Sequence, residues 1–305
     1  MKKLALLLGA LSLVSSVAYA KEVVPAVEEV VVVEEVKAAP TLRVTNFGQS
    51  IEVDNNAGHA EGDVGNVMLG HTVGLAYGDD WTFSFFARKG WDMDTDDGIH
   101  SEGHRIEIDA WRAFDNYDLG FRWRQESTKD RYYARAKYSY GMLSGSADVW
   151  YESNNANDGT GNPDNYEMEL IPVKLTYGPF GIGYFFNYLE AVGSVNDKED
   201  FDHAIEHQIS AYANFDLTEK LSAYAEYRVT LGREVEDPKG EKYDLYDAGD
   251  FQKIEIGASY DLTENLTLST YYAYEYGNVT DDAHKKHDEN DKRYGEFWAG
   301  WNYRF

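Results

Sequence analysis

Cysteine is absent from the 305-residue sequence, which excludes disulfide bonds and any metal or iron–sulfur site held by thiolates. Basic residues are scarce, with 28 Lys and Arg against 54 Asp and Glu and a formal net charge of −26. Because phosphate contacts need a basic surface, we expect no nucleic-acid partner. After the first 20 residues, no apolar run approaches the roughly 20 residues of a membrane-spanning helix. Aromatic residues make up 15%, which argues against a disordered chain.

The N-terminus has the three parts of a secretory signal peptide. Lys2 and Lys3 are basic, residues 4–14 are apolar, and Ala18-Tyr19-Ala20 is a small-x-small cleavage site. We therefore expect residues 1–20 to be removed on export. Residues 21–40 are rich in Val and Glu and are predicted to be an acidic periplasmic extension. A lumen plug or an oligomerising segment is the alternative for this stretch.

From residue 41 the chain alternates between apolar and polar residues. In the last segment, Phe297, Ala299, Trp301, Tyr303 and Phe305 share one parity and polar residues share the other. A period of two indicates β-strands with one apolar face. Fourteen such segments are predicted, at 41–54, 67–77, 81–92, 104–114, 117–126, 131–140, 142–151, 166–177, 180–190, 206–217, 221–232, 251–262, 266–277 and 294–305.

The connections between these segments alternate in length. Short turns, such as 78–80 and 218–220, alternate with mostly longer polar loops, such as 233–250 and 278–293. Short periplasmic turns and longer extracellular loops are typical of outer-membrane barrels. Pro172 interrupts one segment where the apolar parity changes, which predicts a bulge. His71 and Arg112 fall on the apolar parity, so bulges or register errors are expected there too.

The polar parity distinguishes a membrane barrel from a soluble β-sandwich. It carries Arg, Lys, Glu and Asp in the middle of strands, and a dry sandwich core does not hold unpaired charges. A water-filled lumen does. We therefore predict an all-β fold, an antiparallel transmembrane β-barrel of about 14 strands over residues 41–305. Its expected location is the outer membrane of a Gram-negative bacterium.

The C-terminal strand, which ends in the aromatic residue Phe305, resembles the assembly signal of Gram-negative outer-membrane barrels. The strand number, loop alternation and length of 41–305 resemble the small monomeric porins of the outer-membrane protein G type. The opening MKKLALLLG and the AYAKEV segment resemble fusobacterial porins. The resemblance implies an outer-membrane porin that contacts lipid and the barrel-assembly machinery. Whether it is a monomer or a homo-oligomer stays open.

The inward charges are unevenly distributed among the predicted strands. A basic wall is expected at Arg122, Arg124, Arg135 and Lys137, and an acidic wall at Glu226, Glu255, Glu275 and Glu296. In a ring of fourteen strands these groups face each other, which would give a transverse field across the bore. Such charge arrangements set pore selectivity. The alternative is that these side chains are solvated or locally paired.

The predicted loops carry most of the excess negative charge, so we expect them to attract cations to the mouth of the barrel. Loop histidines are candidate pH sensors, because histidine titrates near neutral pH. They are His203, His207, His284 and His287. Metal binding by these pairs is the weaker hypothesis, and no metal or other cofactor is implied.

No hydrolase, metalloprotease or phosphate-loop motif is present in the sequence, and no enzymatic activity is expected. The predicted function is a passive diffusion channel for small hydrophilic solutes and ions, with a preference for cations. The alternative is a surface adhesin or a structural anchor without an open pore. In that case Tyr243, Leu245 and Tyr246 of the loop 233–250 would contact a partner or fold over the pore.

Overall fold

The computed structural model describes residues 40–56, 63–94, 98–155, 163–192, 202–237, 239–277 and 292–305. The predicted signal peptide and nearly all of the acidic extension lie outside these ranges. The strands, numbered along the chain, are β1 (Leu42–Asn56), β2 (Asp63–Tyr77), β3 (Trp81–Asp94), β4 (Gly98–Ala113), β5 (Tyr117–Glu126), β6 (Lys129–Tyr140), β7 (Leu143–Asn154), β8 (Asp164–Tyr177), β9 (Phe180–Val192), β10 (His203–Asp216), β11 (Leu221–Glu236), β12 (Lys242–Tyr246), β13 (Phe251–Asp261), β14 (Leu266–Gly277) and β15 (Lys292–Arg304). No helix in the described ranges has the length and hydropathy to cross a membrane.

Fourteen of these strands form a closed antiparallel barrel, which confirms the predicted fold class. Each barrel strand pairs with its neighbour in the chain, and β1 pairs with β15 from Asn46–Arg304 to Asn56–Tyr294. The short strand β12 pairs only with the end of β11. Closure leaves no sheet edge, and within a bilayer every backbone N–H and C=O has to be paired inside the protein.

The strand bounds agree with the fourteen predicted segments, and the differences lie mainly at the long-loop end. Strand β4 begins at Gly98 rather than at 104, β11 continues to Glu236 rather than ending at 232, and β12 was not predicted. Strands that extend beyond the lipid are wet on both faces. Their residues therefore lose the alternation that marks a membrane-spanning strand.

Apolar side chains cover the outer face of the barrel. Phe121, Phe180 and Ile256 are 50%, 58% and 61% exposed and point away from the lumen. Exposed aromatic side chains are frequent at the short-turn end, as in the girdles that mark a membrane–water interface. They are Tyr77, Phe114, Tyr117, Tyr140, Tyr177, Phe180, Tyr303 and Phe305. This surface is the lipid-facing belt.

The predicted bulge at Pro172 is present. The register of β8 shifts between Leu170 and Val173 where it pairs with β9, and the pairing with β7 shifts as well. The hydroxyl of Tyr138 donates a hydrogen bond to the carbonyl of Pro172 at 2.7 Å. The bulge brings apolar residues on both sides of the proline to the outer face.

No such shift occurs at His71 or Arg112, so the bulges expected there were wrong. Both side chains lie on the outer face in regular register. A hydrogen bond of 3.1 Å joins His71 to Gln49 on the neighbouring strand. The guanidinium of Arg112 lies 5.1 Å from the ring centre of Phe114, in the aromatic girdle at the short-turn end. Polar groups are thus placed on the outer face with local partners.

The lipid-facing belt gives a test of the fold. Ile256→Arg is expected to lower the free energy of unfolding by about 2–4 kcal/mol, because it places a charge against lipid near the middle of β13. Ser269→Arg is the control, since Ser269 lies on the adjacent strand β14 and its side chain faces the lumen. Urea unfolding of the barrel in lipid vesicles measures both, and equal losses would contradict the assigned faces.

Candidate pore lining

The predicted basic residues lie on adjacent strands and face the lumen. Arg122 and Arg135 both bind Asp109, with Arg122 Nη2 and Arg135 Nη1 at 2.9 and 2.7 Å from its carboxylate oxygens. Arg135 also binds Asp148 at 2.9 Å. Lys137 binds Asp118 at 3.0 Å. Asp109 is therefore shared by two guanidiniums from different strands.

Glu107 is the second shared carboxylate of this lining. Its carboxylate lies 2.7 Å from Arg124 Nε, 3.6 Å from Arg122 and 3.8 Å from Arg105. Its side chain is 10% exposed. Charge-assisted contacts of this kind are stronger than neutral hydrogen bonds. Arg122, Arg124, Arg135, Glu107, Asp109 and Asp148 are called the arginine network below.

Aromatic rings support the same side chains. The guanidiniums of Arg122 and Arg124 lie 5.8 and 5.4 Å from the ring centre of Tyr133. Arg135 Cζ and Lys137 Nζ each lie 4.8 Å from the ring centre of Trp111. Trp111 packs so closely over Gly120 that a Cβ there would come within 2.6 Å of its ring. The rings and the carboxylates together fix the direction of each cation.

The structure therefore places the four basic residues in local pairs. All of them have at least one carboxylate partner, and the charges of the arginine network largely cancel. Of the two possibilities left open by the sequence, local pairing describes this side of the lumen. Pairing cannot be read from the residues of one strand, because the carboxylate partners come from the neighbouring strands β4, β5 and β7.

The predicted acidic residues lie on β11, β13, β14 and β15. Glu226 binds Arg228 at 2.9 Å, and Lys253 lies 3.4 and 3.6 Å from Glu255 and Glu275. Tyr224 donates to Glu255 at 2.7 Å. Glu226 and Glu255 stand directly opposite each other across β11 and β13. Like charges in such positions repel.

Glu296 is held differently, because its partners are tyrosines. The hydroxyls of Tyr271 and Tyr294 donate to its two carboxylate oxygens. Within the described ranges it has no cationic partner. The acidic side thus keeps more carboxylates than ion-pairing cations, in contrast to the arginine network.

Sequence reasoning missed further lumen carboxylates on β8 and β10. Glu167 and Glu169 alternate with the outward residues Met168 and Leu170, and Glu206 lies at 5% exposure on β10. Asn187 donates to Glu167 at 3.0 Å. The alternation on β8 was a sufficient signal for both glutamates, since the outward parity of that strand was recognised.

His203 and His207 lie in strand β10 rather than in a loop, which corrects the expectation. His207 faces outward, with Nδ1 at 2.6 Å from the hydroxyl of Tyr184. The ring of His203 packs against Tyr188 at 5.2 Å between centres. His284 and His287 fall outside the described residues. In the part of the chain that the structure covers, no group of three or more His, Asp or Glu side chains is placed to hold a metal ion.

The segment 233–250 is a hairpin rather than an unstructured loop. The β11 residues Arg233–Glu236 pair with β12, and Tyr246 is 5% exposed and stacks on Phe251 at 5.3 Å. Tyr243 and Leu245 are partly exposed. Lys242 donates to Glu234 at 3.2 Å, and this bond raises the pKa of the lysine. Tyr246 therefore packs within the hairpin base.

Phe305 ends the chain at the short-turn rim. Its backbone N–H donates to the carbonyl of Thr45 at 3.0 Å, which extends the pairing of β15 with β1. Its ring is 73% exposed and meets Tyr303 edge-on at 5.2 Å. The C-terminal aromatic side chain is accordingly accessible on the outer face.

Comparisons with solved structures agree with this architecture. Similar chains include OmpT, an outer membrane protein of Vibrio cholerae, at 14% identity and a TM-score of 0.45, over 89% of this chain and 100% of that one. An anion-selective porin from Comamonas acidovorans matches at 11% and 0.45, over 87% and 100%. A bacterial polysaccharide outer membrane secretin matches at 8% and 0.51, over 85% and 98%. The chain has a closed β-barrel fold similar to that of these outer-membrane proteins.

At these identities the likeness is one of fold, and solute and selectivity do not follow from it. The sequence matches no protein-family model and no curated protein. The narrower resemblances to the outer-membrane protein G type and to fusobacterial porins stay predictions.

The arginine network predicts a stability difference between two aspartates. Asp109→Asn is expected to lower the free energy of unfolding by about 1–3 kcal/mol, because it weakens the pairing of two guanidiniums at once. Asp118→Asn is the control, since Asp118 binds only the half-exposed Lys137. Urea unfolding in lipid vesicles compares them, and a larger loss in Asp118→Asn would contradict the network.

Proposed function

We propose that this barrel is a passive diffusion channel for small hydrophilic solutes and ions. The observation that carries the proposal is the contrast between its two faces. The outer face is aliphatic and aromatic, whereas the lumen face carries closely spaced Arg, Lys, Glu and Asp side chains. Closely spaced charges are stable only when they are paired or hydrated, and a water-filled bore would hydrate those that are not paired.

The number of strands supports an open bore. Barrels of about eight strands are filled by their side chains, and barrels of 16–18 strands leave an aqueous channel. Fourteen strands lie nearer to the second group. Bulk diffusion through such a bore includes no enzymatic step and no cofactor.

The charge balance of the lumen supports a preference for cations. The arginine network is compensated within itself, whereas on the acidic side Glu296 has no cationic partner among the described residues and Lys253 is shared by two glutamates. A net negative lumen lowers the energy of a permeant cation and raises that of an anion. The arginine network on β4–β7 and the acidic residues on β11 and β13–β15 lie on opposite sides of the ring. The proposed electric field therefore runs across the bore between them.

The proposal extends to the partners of the folded chain. Lipid would surround the apolar belt, and the barrel-assembly machinery would recognise the strand that ends in Phe305. The exposure of the Phe305 ring is compatible with such recognition.

Planar-bilayer recording of the purified, refolded chain tests the channel directly. We expect steady conductance steps, and in a KCl gradient a reversal potential of the sign given by cation selectivity. Selectivity is expected to weaken as salt rises, because screening shortens the reach of the lumen charges to about 3 Å at 1 M. A folded barrel without conductance would contradict the proposal and favour the surface adhesin or anchor.

Neutralising the predicted basic wall tests its role in selectivity. The triple variant Arg122→Gln, Arg124→Gln, Arg135→Gln is expected to shift the reversal potential further toward cations, because it leaves Glu107, Asp109 and Asp148 uncompensated. Circular dichroism checks that the variant folds. An unchanged reversal potential in a folded variant would show that these charges do not act on permeating ions.

A further inference from the structure

A cleft of about 210 Å³ opens in the lumen wall on the acidic side of the barrel. It extends across β8, β9, β10, β11, β13 and β14, and both charged and aromatic side chains line it. Pockets for drug-sized ligands measure about 300–1,000 Å³, so this cleft suits a smaller solute. Three cations also line the cleft, Arg228, Arg233 and Lys253, and each is paired with a glutamate. The other residues used below are Glu167, Glu169, Glu206, Gln208 and Phe251.

Most of the charged groups in the cleft are already engaged. Glu206 accepts from Thr230 and Arg233, each at 3.0 Å, and from Gln208 at 2.5 Å. Glu167 accepts from Asn187. These contacts leave Glu206 little capacity for a passing solute, and they engage one carboxylate oxygen of Glu167.

Glu169 is the exception. Its side chain is exposed to the lumen, and among the described residues it forms no hydrogen bond or ion pair. It also stands directly opposite Asp148 across β7 and β8, a like-charge pair that opposes folding. Arg135 and the rest of the arginine network neutralise Asp148 but do not reach Glu169. In the described part of the chain, Glu169 therefore presents to the bore a carboxylate without a direct hydrogen bond or ion pair.

Gln208 supplies a second, independent observation. Its residue is 5% exposed, and its amide N–H₂ group donates to Glu206. The amide oxygen accepts no hydrogen bond in the described part of the chain. A buried acceptor without a donor is unfavourable, and a solute with N–H groups would satisfy it.

We propose that this cleft is a binding site for small organic cations that carry a primary ammonium group, and that Glu169 is its specificity-determining residue. The inference rests on the proposed channel function and deepens it. The ammonium group would donate to the carboxylate of Glu169 and to the amide oxygen of Gln208. The alkyl part would lie against the ring of Phe251, which lines the same cleft, because the ring of Phe185 has the guanidinium of Arg228 at 5.3 Å.

Metal ions are a poorer match to the cleft than ammonium compounds. No group of three or more acidic or imidazole side chains converges for coordination in the described ranges. Ammonium groups need fewer, more widely spaced acceptors, because each N–H bonds separately. Binding at such a site would slow the passage of the solute and block other ions while it is occupied.

The test measures block of the K⁺ current in planar bilayers. n-Butylammonium chloride is added to one side of channels formed by the full chain, and tetraethylammonium serves as a cation without N–H donors. We expect n-butylammonium to block the wild-type current at lower concentration than tetraethylammonium. In Glu169→Gln the half-blocking concentration of n-butylammonium is expected to rise about tenfold.

Glu296→Gln is the matched control. It removes the same charge from the lumen face, but Glu296 lies outside the cleft and is held by tyrosines, so no cation is set free. In this variant the half-blocking concentration of n-butylammonium is expected to change less than about twofold. Circular dichroism checks folding, and Glu169→Asp replaces Glu169→Gln if the latter does not fold, with weaker block again expected.

A conducting wild-type channel that n-butylammonium does not block, or blocks equally in the folded Glu169 variant, would overturn the site and leave the channel standing. Equal weakening in Glu296→Gln would show that net lumen charge, and not Glu169, governs the block. A folded wild-type barrel that does not conduct would overturn both proposals.

Discussion

The requirement that every backbone group in a bilayer be hydrogen bonded governs this structure. It is met by pairing the first strand with the last, from Asn46–Arg304 to Asn56–Tyr294. Once the ring is closed, each strand has one face toward lipid and one toward the lumen. The period of two in the sequence, the apolar belt and the charged interior all follow from that closure.

The lumen shows how a barrel accommodates many charges. On one side, guanidiniums, carboxylates and aromatic rings from β4 to β7 form a compensated lattice in which Asp109 and Glu107 are each shared. On the other side, carboxylates are shared among few cations or held by tyrosine hydroxyls. The first arrangement balances its charges locally, and in the second the described carboxylates outnumber the cations that pair with them.

The sequence predicted the strands well because lipid and water impose opposite demands on successive residues. Pro172 was also informative, since a proline and a change of parity coincide there. His71 and Arg112 misled, because a polar outer residue with a local partner, such as Gln49 or Phe114, needs no bulge. Strand β12 was missed because it lies beyond the apolar belt, where both faces are wet.

The pore lining could be predicted only in part. Alternation assigns Arg122 and Arg135 to the lumen, but their meeting at Asp109 depends on the register of three neighbouring strands. That register is set by turn geometry and bulges, and a single strand does not contain it. Glu169 illustrates the same limit, since its lack of a direct ion pair among the described residues is a property of the assembled wall.

The hairpin of β11 and β12 has a consequence for engineering the bacterial surface. Its turn is stabilised locally, with Asp237 Oδ1 accepting from the backbone of Lys239 and Glu241 at 2.9 and 2.8 Å. Lys239, Gly240 and Glu241 are exposed at its tip. A foreign peptide spliced into this tip would extend from the long-loop end of the barrel without interrupting the pairing of the fourteen barrel strands.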